Sequence, residues 1–389
     1  MHSAGLNTTM TSPDARASLG YQLAFLSDIT LENIARNLWT HRRALITLKP
    51  RYLPRLLGLT ALSAAMTPLR LWERLRWHRT LSQTTPAPPL FVLGHWRSGT
   101  THLHNLLSTD PALGHLPMVQ AVMPGSFLSF SALAKLLFDH LLPATRPMDQ
   151  VSWTMETPQE EEIALSKWVP EAFFTHLMAP QLMAERFESQ ILLGHTPGWA
   201  ERRWQRAYRT TVQKAAVWSQ GRRLVLKNPA NTGRIHLLLQ MYPQGRFVFI
   251  HRNPYAVFVS MRRFYDTLFA LLGLQPMTAE QRDDLILTGY EALMRRYLTQ
   301  RTQIPAGHLV EVRFDELERT PTAIIHDIRR RLDMKPLGDA GQTALQKHLD
   351  GVKGYRKNTL PGPEPQALAQ INARWAFAFD TWGWPTRQP

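Results

Sequence analysis

The chain has no cysteine. Disulfides, thiolate metal sites and cysteine nucleophiles are excluded at once, and a reducing cytoplasm is compatible with that count. Acid is scarce: 30 Asp and Glu stand against 45 Lys and Arg, a formal net charge of +15. Such a surplus favours anionic partners (nucleic acid, an anionic membrane surface, a polyanionic small molecule) without choosing among them. Long apolar runs are also missing. The longest uncharged stretch near the N-terminus, Leu56 to Leu69, is interrupted by Gly58 and Pro68 and falls short of the roughly 20 apolar residues that a spanning helix needs. The first twenty residues are polar and lack an apolar core after a basic start, so no signal peptide is expected and a cytoplasmic location is. No HExxH motif or acidic cluster demands a metal, and none is expected. There is no internal repeat and no low-complexity tract.

What is present suits a globular protein. A chain of 389 residues can bury a full core. Residues 1–20 read as a flexible tail and 21–81 as a helical N-terminal extension, with apolar residues at helical spacing. Within 41–80 the basic residues Arg42, Arg43, Lys49, Arg51, Arg55, Arg70, Arg74, Arg76 and Arg79 face Glu73 alone. With Leu56, Leu57, Leu59, Leu62, Leu69, Trp72 and Trp77 they suit a helix lying on an anionic membrane. The ordinary alternative is a helix packed on the core with its arginines in solvent. A Pro-rich linker, Ser82 to Pro89, follows.

From residue 90 to about 385 the pattern changes to short apolar runs alternating with helices. Leu90–Leu93, Leu224–Leu226, Arg246–Ile250 and Leu309–Phe314 read as buried strands; Thr101–Leu107, Asn231–Met241 and Pro254–Phe264 read as helices. Alternation of this kind predicts an α/β fold, a central parallel sheet flanked by helices. Residues 112–220 read as a helical insert rich in Trp and Phe, the expected acceptor pocket. Phe127, Phe130, Phe138, Trp153, Trp168, Phe173 and Phe174 permit an apolar acceptor, such as a lipid or phenol, and equally suit a helical core.

Between the first strand and first helix of this region lies Gly94-His-Trp-Arg-Ser-Gly-Thr-Thr101. It is a phosphate loop in which Thr100 stands where a nucleoside triphosphatase has lysine. Glycines let backbone N–H groups converge on an anion, and the helix N-terminus adds partial positive charge. Arg97 supplies charge from within the loop, and Thr100 and Thr101 add hydroxyl donors. Such a loop suits one phosphate-like group better than a triphosphate. The segment resembles the 5′-phosphosulfate loop of sulfotransferases that use 3′-phosphoadenosine 5′-phosphosulfate (PAPS), commonly P-K/R-S-G-T-T, with Trp96-Arg97 where many members have Pro-Lys. The resemblance implies a P-loop-like core in which Gly94, Trp96, Arg97, Ser98, Gly99, Thr100 and Thr101 bind the co-substrate.

A second element, Phe247-Val-Phe-Ile-His-Arg-Asn-Pro-Tyr-Ala-Val-Phe-Val-Ser260, resembles the same family's 3′-phosphate site: a strand, an Arg at its end, and a Ser eight residues later. Arg252 and Ser260 fit that spacing. Arg252 leaves the C-terminal end of a strand, where open α/β sheets bind ligands, and its fork suits phosphate oxygens. Tyr355-Arg-Lys-Asn358 matches loosely the basic loop that closes the family's nucleotide, R-K-G. Gly354 here precedes Arg356 and Lys357 instead of following them, and a solvated basic turn fits as well.

Sulfuryl transfer needs a base for the acceptor and stabilisation of the leaving phosphate, with the reacting groups in line. Arg97, then Lys227 at a strand end, are the candidates for charge. Thr157-Pro-Gln-Glu-Glu-Glu162 is the candidate for the base, Glu160 or Glu161 first and His176 the alternative; the resembling bacterial branch often carries a T-P-Q-E run there. Thr157, Pro158 and Glu160 equally form the pattern of a helix capping box. His95, His102 and His104 read as ordinary loop and helix residues. Two other classes compete. A P-loop kinase or nucleotide hydrolase lacks its lysine and would need Asp315 for magnesium. A basic nucleic-acid-binding protein lacks any matching motif, so no nucleic-acid partner is expected.

Overall fold

The computed structural model describes residues 25–40, 42, 53–139, 154–352 and 361–388. The expected tail 1–20, Trp153 and the basic turn with Arg356 and Lys357 lie outside the described residues.

Five parallel strands form one sheet in the order β2-β3-β1-β4-β5: β1 Leu90–Leu93, β2 Leu113–His115, β3 Arg223–Lys227, β4 Arg246–His251 and β5 Leu309–Arg313. The helices used below are α1 Leu31–Thr40, α2 Leu53–Gln83, α3 Thr100–Leu107, α4 Phe127–Asp139, α5 Glu161–Leu165, α6 Gly198–Trp218, α7 Ile235–Met241, α8 Pro254–Leu272, α9 Ala279–Gln300, α10 Pro321–Arg331, α11 Asp339–Val352 and α12 Pro365–Trp382. Successive strand residues point to opposite faces. Leu90, Val92, Val225, Val248 and Ile250 therefore pack on one side with residues of α3, α10 and α11. Phe91, Leu93, Leu224, Leu226, Phe247 and Phe249 pack on the other with α6, α7, α8, α9 and α12. Two covered faces explain why β1, β3 and β4 read as continuous apolar runs.

The four expected strands form, and a fifth joins them. β2 is Leu-Gly-His, so the insert expected to be helical opens with an edge strand. Three residues with a single large apolar side chain carry no strand signal. Gly114 is required because a Cβ there would lie 2.5 Å from Cβ of Ser219. Asn231–Met241 is likewise not one helix. It divides into a 3-10 turn, Pro229–Gly233, and α7.

Gly58 and Pro68 do not interrupt α2, which runs 31 residues. Pro68 removes one N–H, but it and Ala64 lie on an exposed face where water can satisfy the freed carbonyl. The opposite face of α2 is fixed to the body. Arg70 pairs with buried Asp28 at 3.2 Å, Glu73 with Lys214 of α6, and the Trp77 indole donates to Ser129 of α4 at 3.0 Å. Among the described residues, no helix is long and apolar enough to cross a membrane.

Candidate active site

The sheet order places the site. Chain leaving β1 travels towards β2, while chain leaving β4 travels towards β5. The crevice between β1 and β4 is therefore a topological switch point, the usual ligand position at the carboxyl edge of an open sheet. Register brings the two strand ends level, with Leu93 opposite Phe249.

The loop after β1 is built around two glycines. Gly94 has φ 145° and backs onto β4; a Cβ would lie 2.5 Å from the Ile250 carbonyl oxygen. Gly99 has φ 101° and abuts the Phe314 ring, which a Cβ would strike. No side chain caps α3 at Gly99, so the first-turn N–H groups of α3 face the loop. Ser98 Oγ donates to the His95 carbonyl at 2.7 Å, closing the turn from within. Thr232, in the 3-10 turn after β3, braces it from outside: its hydroxyl accepts from Gly94 N at 2.8 Å and donates to Gly94 O at 3.1 Å. Trp96 packs on the insert. It is buried and stacked on Phe173 with centroids 4.3 Å apart.

Arg97, Arg252 and Ser260 converge across the crevice. Arg97 Nε donates to Ser260 Oγ at 3.0 Å, and Arg252 Nη1 donates to the Arg97 carbonyl at 3.2 Å. Arg97 sits at φ 68°, an uncommon conformation for a side-chain-bearing residue. The Arg252 guanidinium lies 4.4 Å over the Phe314 ring. Pro254 takes the first helical position of α8, where the sequence reading starts the helix, and Asn253 caps it through its side chain. The cradle, two guanidiniums and one hydroxyl form a donor set suited to a ligand with two separate phosphate-like groups.

At the other side of β1, Lys227 ends β3. Its ammonium donates to Thr101 Oγ1 at 3.3 Å and forms an ion pair with Glu160. The acidic trio is not the capping box its sequence suggests. Residues 157–160 do not begin a helix: Thr157 Oγ1 accepts from Thr154 N, Gln159 N bonds the Leu116 carbonyl, and Pro158 bridges Pro117. Helix α5 starts at Glu161, with Glu160 extended before it and making no capping bond. The three carboxylates then part. Glu160 retains 12% side-chain exposure beside Lys227. Glu161 is fully buried and accepts from the Tyr208 hydroxyl at 2.8 Å. Glu162 is clamped by Arg234 at 2.9 and 3.1 Å, with Asn228 and the Phe173 N–H adding bonds of 2.6 and 2.7 Å.

Burial pushes the Glu161 carboxyl up from 4.5 to about 7, against the pull of its Tyr208 bond and of Lys227. A carboxyl raised on folding binds its proton more tightly in the native state. Its contribution is present below the unfolded value and lost as pH rises from about 4.5 through 7. Denaturant unfolding between those limits should show a stability that falls with pH by up to ~1.4 kcal/mol per unit from this group. Glu161→Gln should remove that slope. An unchanged slope in the variant would assign it to other groups.

Burial also lowers His95 to about 4, and its Nδ1 pairs with the Trp96 carbonyl. His104 is buried against the Val225 carbonyl. His176 is completely buried on a short helical turn. Asp315, which a kinase reading required for magnesium, is paired with Arg313 at 3.1 Å. No group of metal-ligating side chains occurs among the described residues. Phe127, Phe138 and Phe173 of the insert are buried core. Sequence reasoning missed Asn228, Asn231, Thr232, Tyr208 and Arg234. For Asn228, Asn231 and Thr232 the signal is the polar run Asn-Pro-Ala-Asn-Thr-Gly directly after Lys227, at the ligand edge of the sheet, with Arg234 next in the chain; Tyr208, inside α6, has none.

Three comparisons bear on this geometry. A curated relative, the omega-hydroxy-beta-dihydromenaquinone-9 sulfotransferase Stf3 of Mycobacterium tuberculosis, is 28% identical over 334 residues, 85% of this chain and 84% of its own. The crystal structure of sulfotransferase STF9 from Mycobacterium avium covers 100% of both chains with TM-score 0.68 at 18% identity. That of sulfotransferase STF1 from Mycobacterium tuberculosis covers 87% of this chain and 93% of its own with TM-score 0.59 at 20% identity. These two share the fold. The model of the sulfotransferase family matches residues 88–337, from the start of the sheet past α10, so the chain belongs to the sulfotransferase family and is an enzyme of sulfuryl transfer.

Proposed function

We propose that this enzyme takes its sulfuryl group from PAPS and passes it to a hydroxyl of a lipid-like acceptor. The observation that carries the donor half is the meeting of Arg97, Arg252 and Ser260 beside the glycine cradle. Loop residues Gly94 and Ser98 to Thr101, with Arg97, receive the 5′-phosphosulfate; Arg252 and Ser260 receive the 3′-phosphate. Arg356 and Lys357 are proposed to close over the nucleotide. Trp96 supports the loop from its buried side rather than touching the ligand.

The chemistry follows from the other side of β1. An acceptor oxygen attacks sulfur, the bond between sulfur and the phosphate oxygen breaks, and the acceptor proton passes to Glu160. Lys227 and Arg97 stabilise the charge left on the phosphate. Glu160 is preferred over Glu161 because it keeps some exposure next to Lys227, whereas Glu161 has none. Glu161, held by Tyr208 and Asn231, positions the start of α5.

The acceptor half rests on two supports. The relative's name gives it a hydroxylated menaquinone derivative as substrate. Phe173 of the insert packs against Trp96 of the loop, Phe174 beside it, and Phe264 and Tyr265 of α8, so the wall next to the loop is aromatic and suits an apolar acceptor.

Thermal unfolding tests the donor. The product nucleotide, 3′-phosphoadenosine 5′-phosphate, at a hundredfold excess over its Kd should stabilise by about 2.7 kcal/mol and raise Tm by a few degrees. ATP with Mg²⁺, or duplex DNA, should give a much smaller shift. An equal or larger shift with ATP and Mg²⁺ would overturn the assignment. Transfer of labelled sulfuryl from PAPS to a hydroxylated prenyl quinone in detergent, in preference to a sugar, checks the acceptor.

A further inference from the structure

The inner face of α2 is fully engaged, but its outer face is not. Leu57 and Leu75 lie five turns apart at 3.6 residues per turn, so they share one side of the helix. They are 69% and 79% exposed, with Leu71 and Trp72 beside them at 53% and 61%. This side is opposite to Ser63, Arg70 and Glu73, which hold α2 to the body. The stripe extends along a helix of about 46 Å at 1.5 Å per residue. Leu133 and Leu136 on neighbouring α4 are exposed as well. So many large apolar side chains along one surface helix require a partner.

Charge decides which partner. Arg74, Arg76 and Arg79 are exposed around the C-terminal half of the stripe. Glu73, the one acid of α2, is completely buried and bound to Lys214 and the Ser129 N–H. The outer face therefore presents leucine, tryptophan and arginine with no carboxylate of its own helix. A second copy of the chain would set basic rim against basic rim. Nucleic acid would meet the arginines but leave the leucines unmatched. An anionic bilayer satisfies both, with leucines in the headgroup boundary, the tryptophan at the interface and arginines on lipid phosphates.

We infer that the outer face of α2 is a membrane-docking surface for anionic lipid. Because α2 is locked to α6 by the buried Glu73–Lys214 pair and to α4 by the bonds of Ser129 with Glu73 and Trp77, docking would hold the catalytic body at a fixed attitude to the bilayer. The inference does not rest on the identity of the acceptor.

Sedimentation with vesicles tests it. The full chain should pellet with vesicles of equal parts phosphatidylglycerol and phosphatidylcholine in low salt, and much less with phosphatidylcholine alone. Salt at 1 M, where screening reaches about 3 Å, should release most of it. Leu71→Asp/Trp72→Asp/Leu75→Asp should bind at least about tenfold less, since it removes buried apolar area, while keeping its thermal shift with 3′-phosphoadenosine 5′-phosphate. Arg74→Glu/Arg76→Glu/Arg79→Glu should lose the preference for anionic vesicles. Wild type left in the supernatant with both vesicle types at low salt would overturn the inference, as would undiminished binding of the triple Asp variant. A concentration-dependent dimer that the same variant abolishes would instead give the face to a second copy.

Discussion

Glu160→Gln is expected to bind 3′-phosphoadenosine 5′-phosphate as wild type does, while kcat falls by ~10²–10⁴-fold, the usual worth of a positioned general base. The substitution is nearly isosteric and lies at an extended position before α5, so it disturbs no helix cap. It does remove the charge opposite Lys227. That loss should leave the ammonium freer to meet the leaving phosphate, which acts against any fall in rate. A large fall would therefore report the missing base and not a missing support. Glu161→Gln supplies the comparison: its carboxyl is sealed behind Tyr208 and Asn231, so the effect on kcat should be much smaller. Single-turnover measurements with saturating PAPS separate the chemical step from binding. Turnover unchanged in Glu160→Gln would remove this residue from the mechanism; His176, as fully buried as Glu161, is no better placed to replace it.

The second large effect belongs to the nucleotide. Arg97→Ala and Arg252→Ala should each weaken binding of 3′-phosphoadenosine 5′-phosphate by roughly 1.5–3 kcal/mol, about 10- to 150-fold, through loss of a charge-assisted phosphate contact. The two are not independent, because Arg252 also donates to the Arg97 carbonyl and so holds the loop at its φ of 68°. The double variant should lose less than the sum of the singles. Arg252→Lys should rescue little. Lysine lacks the planar fork and cannot reproduce the guanidinium's place over Phe314. Isothermal titration decides the matter, and wild-type affinity in both single variants would sink the placement of the ligand.

Much of this was legible in the sequence, and the reason is local. Strands β1, β3 and β4 are buried on both faces, so each appears as an apolar run ending at the ligand edge, with Gly94, Lys227 and Arg252 marking the exits. Phosphate cradles are contiguous in sequence for the same geometric reason. What stayed hidden is whatever depends on distant partners. Tyr208 and Glu161 are 47 positions apart, and Thr232 reaches Gly94 across 138. No local pattern announces either. The Thr157 segment misleads because its residues satisfy a capping pattern, yet Gln159 is drawn to Leu116 and Pro158 to Pro117. Tertiary pairing outweighs one capping box, worth only about 0.5–2 kcal/mol. The arginine-rich extension was readable as a helix, but not which way it faced. That depended on Asp28, Lys214 and Ser129, which draw its polar residues inward.

The double bond between Thr232 and the backbone of Gly94 has a consequence for recombining this enzyme with others. One short peptide, from Lys227 to Gly233, carries both a charge at the reaction centre and the strut of the nucleotide cradle. A chimaera that joins the cradle of one parent to the β3 exit of another would separate a hydroxyl from the amide it was fitted to. Crossovers before residue 88, or beyond β5, leave that joint whole. Those inside the sheet do so only when 90–101 and 223–233 are inherited together, although more than a hundred residues of insert between them could be exchanged.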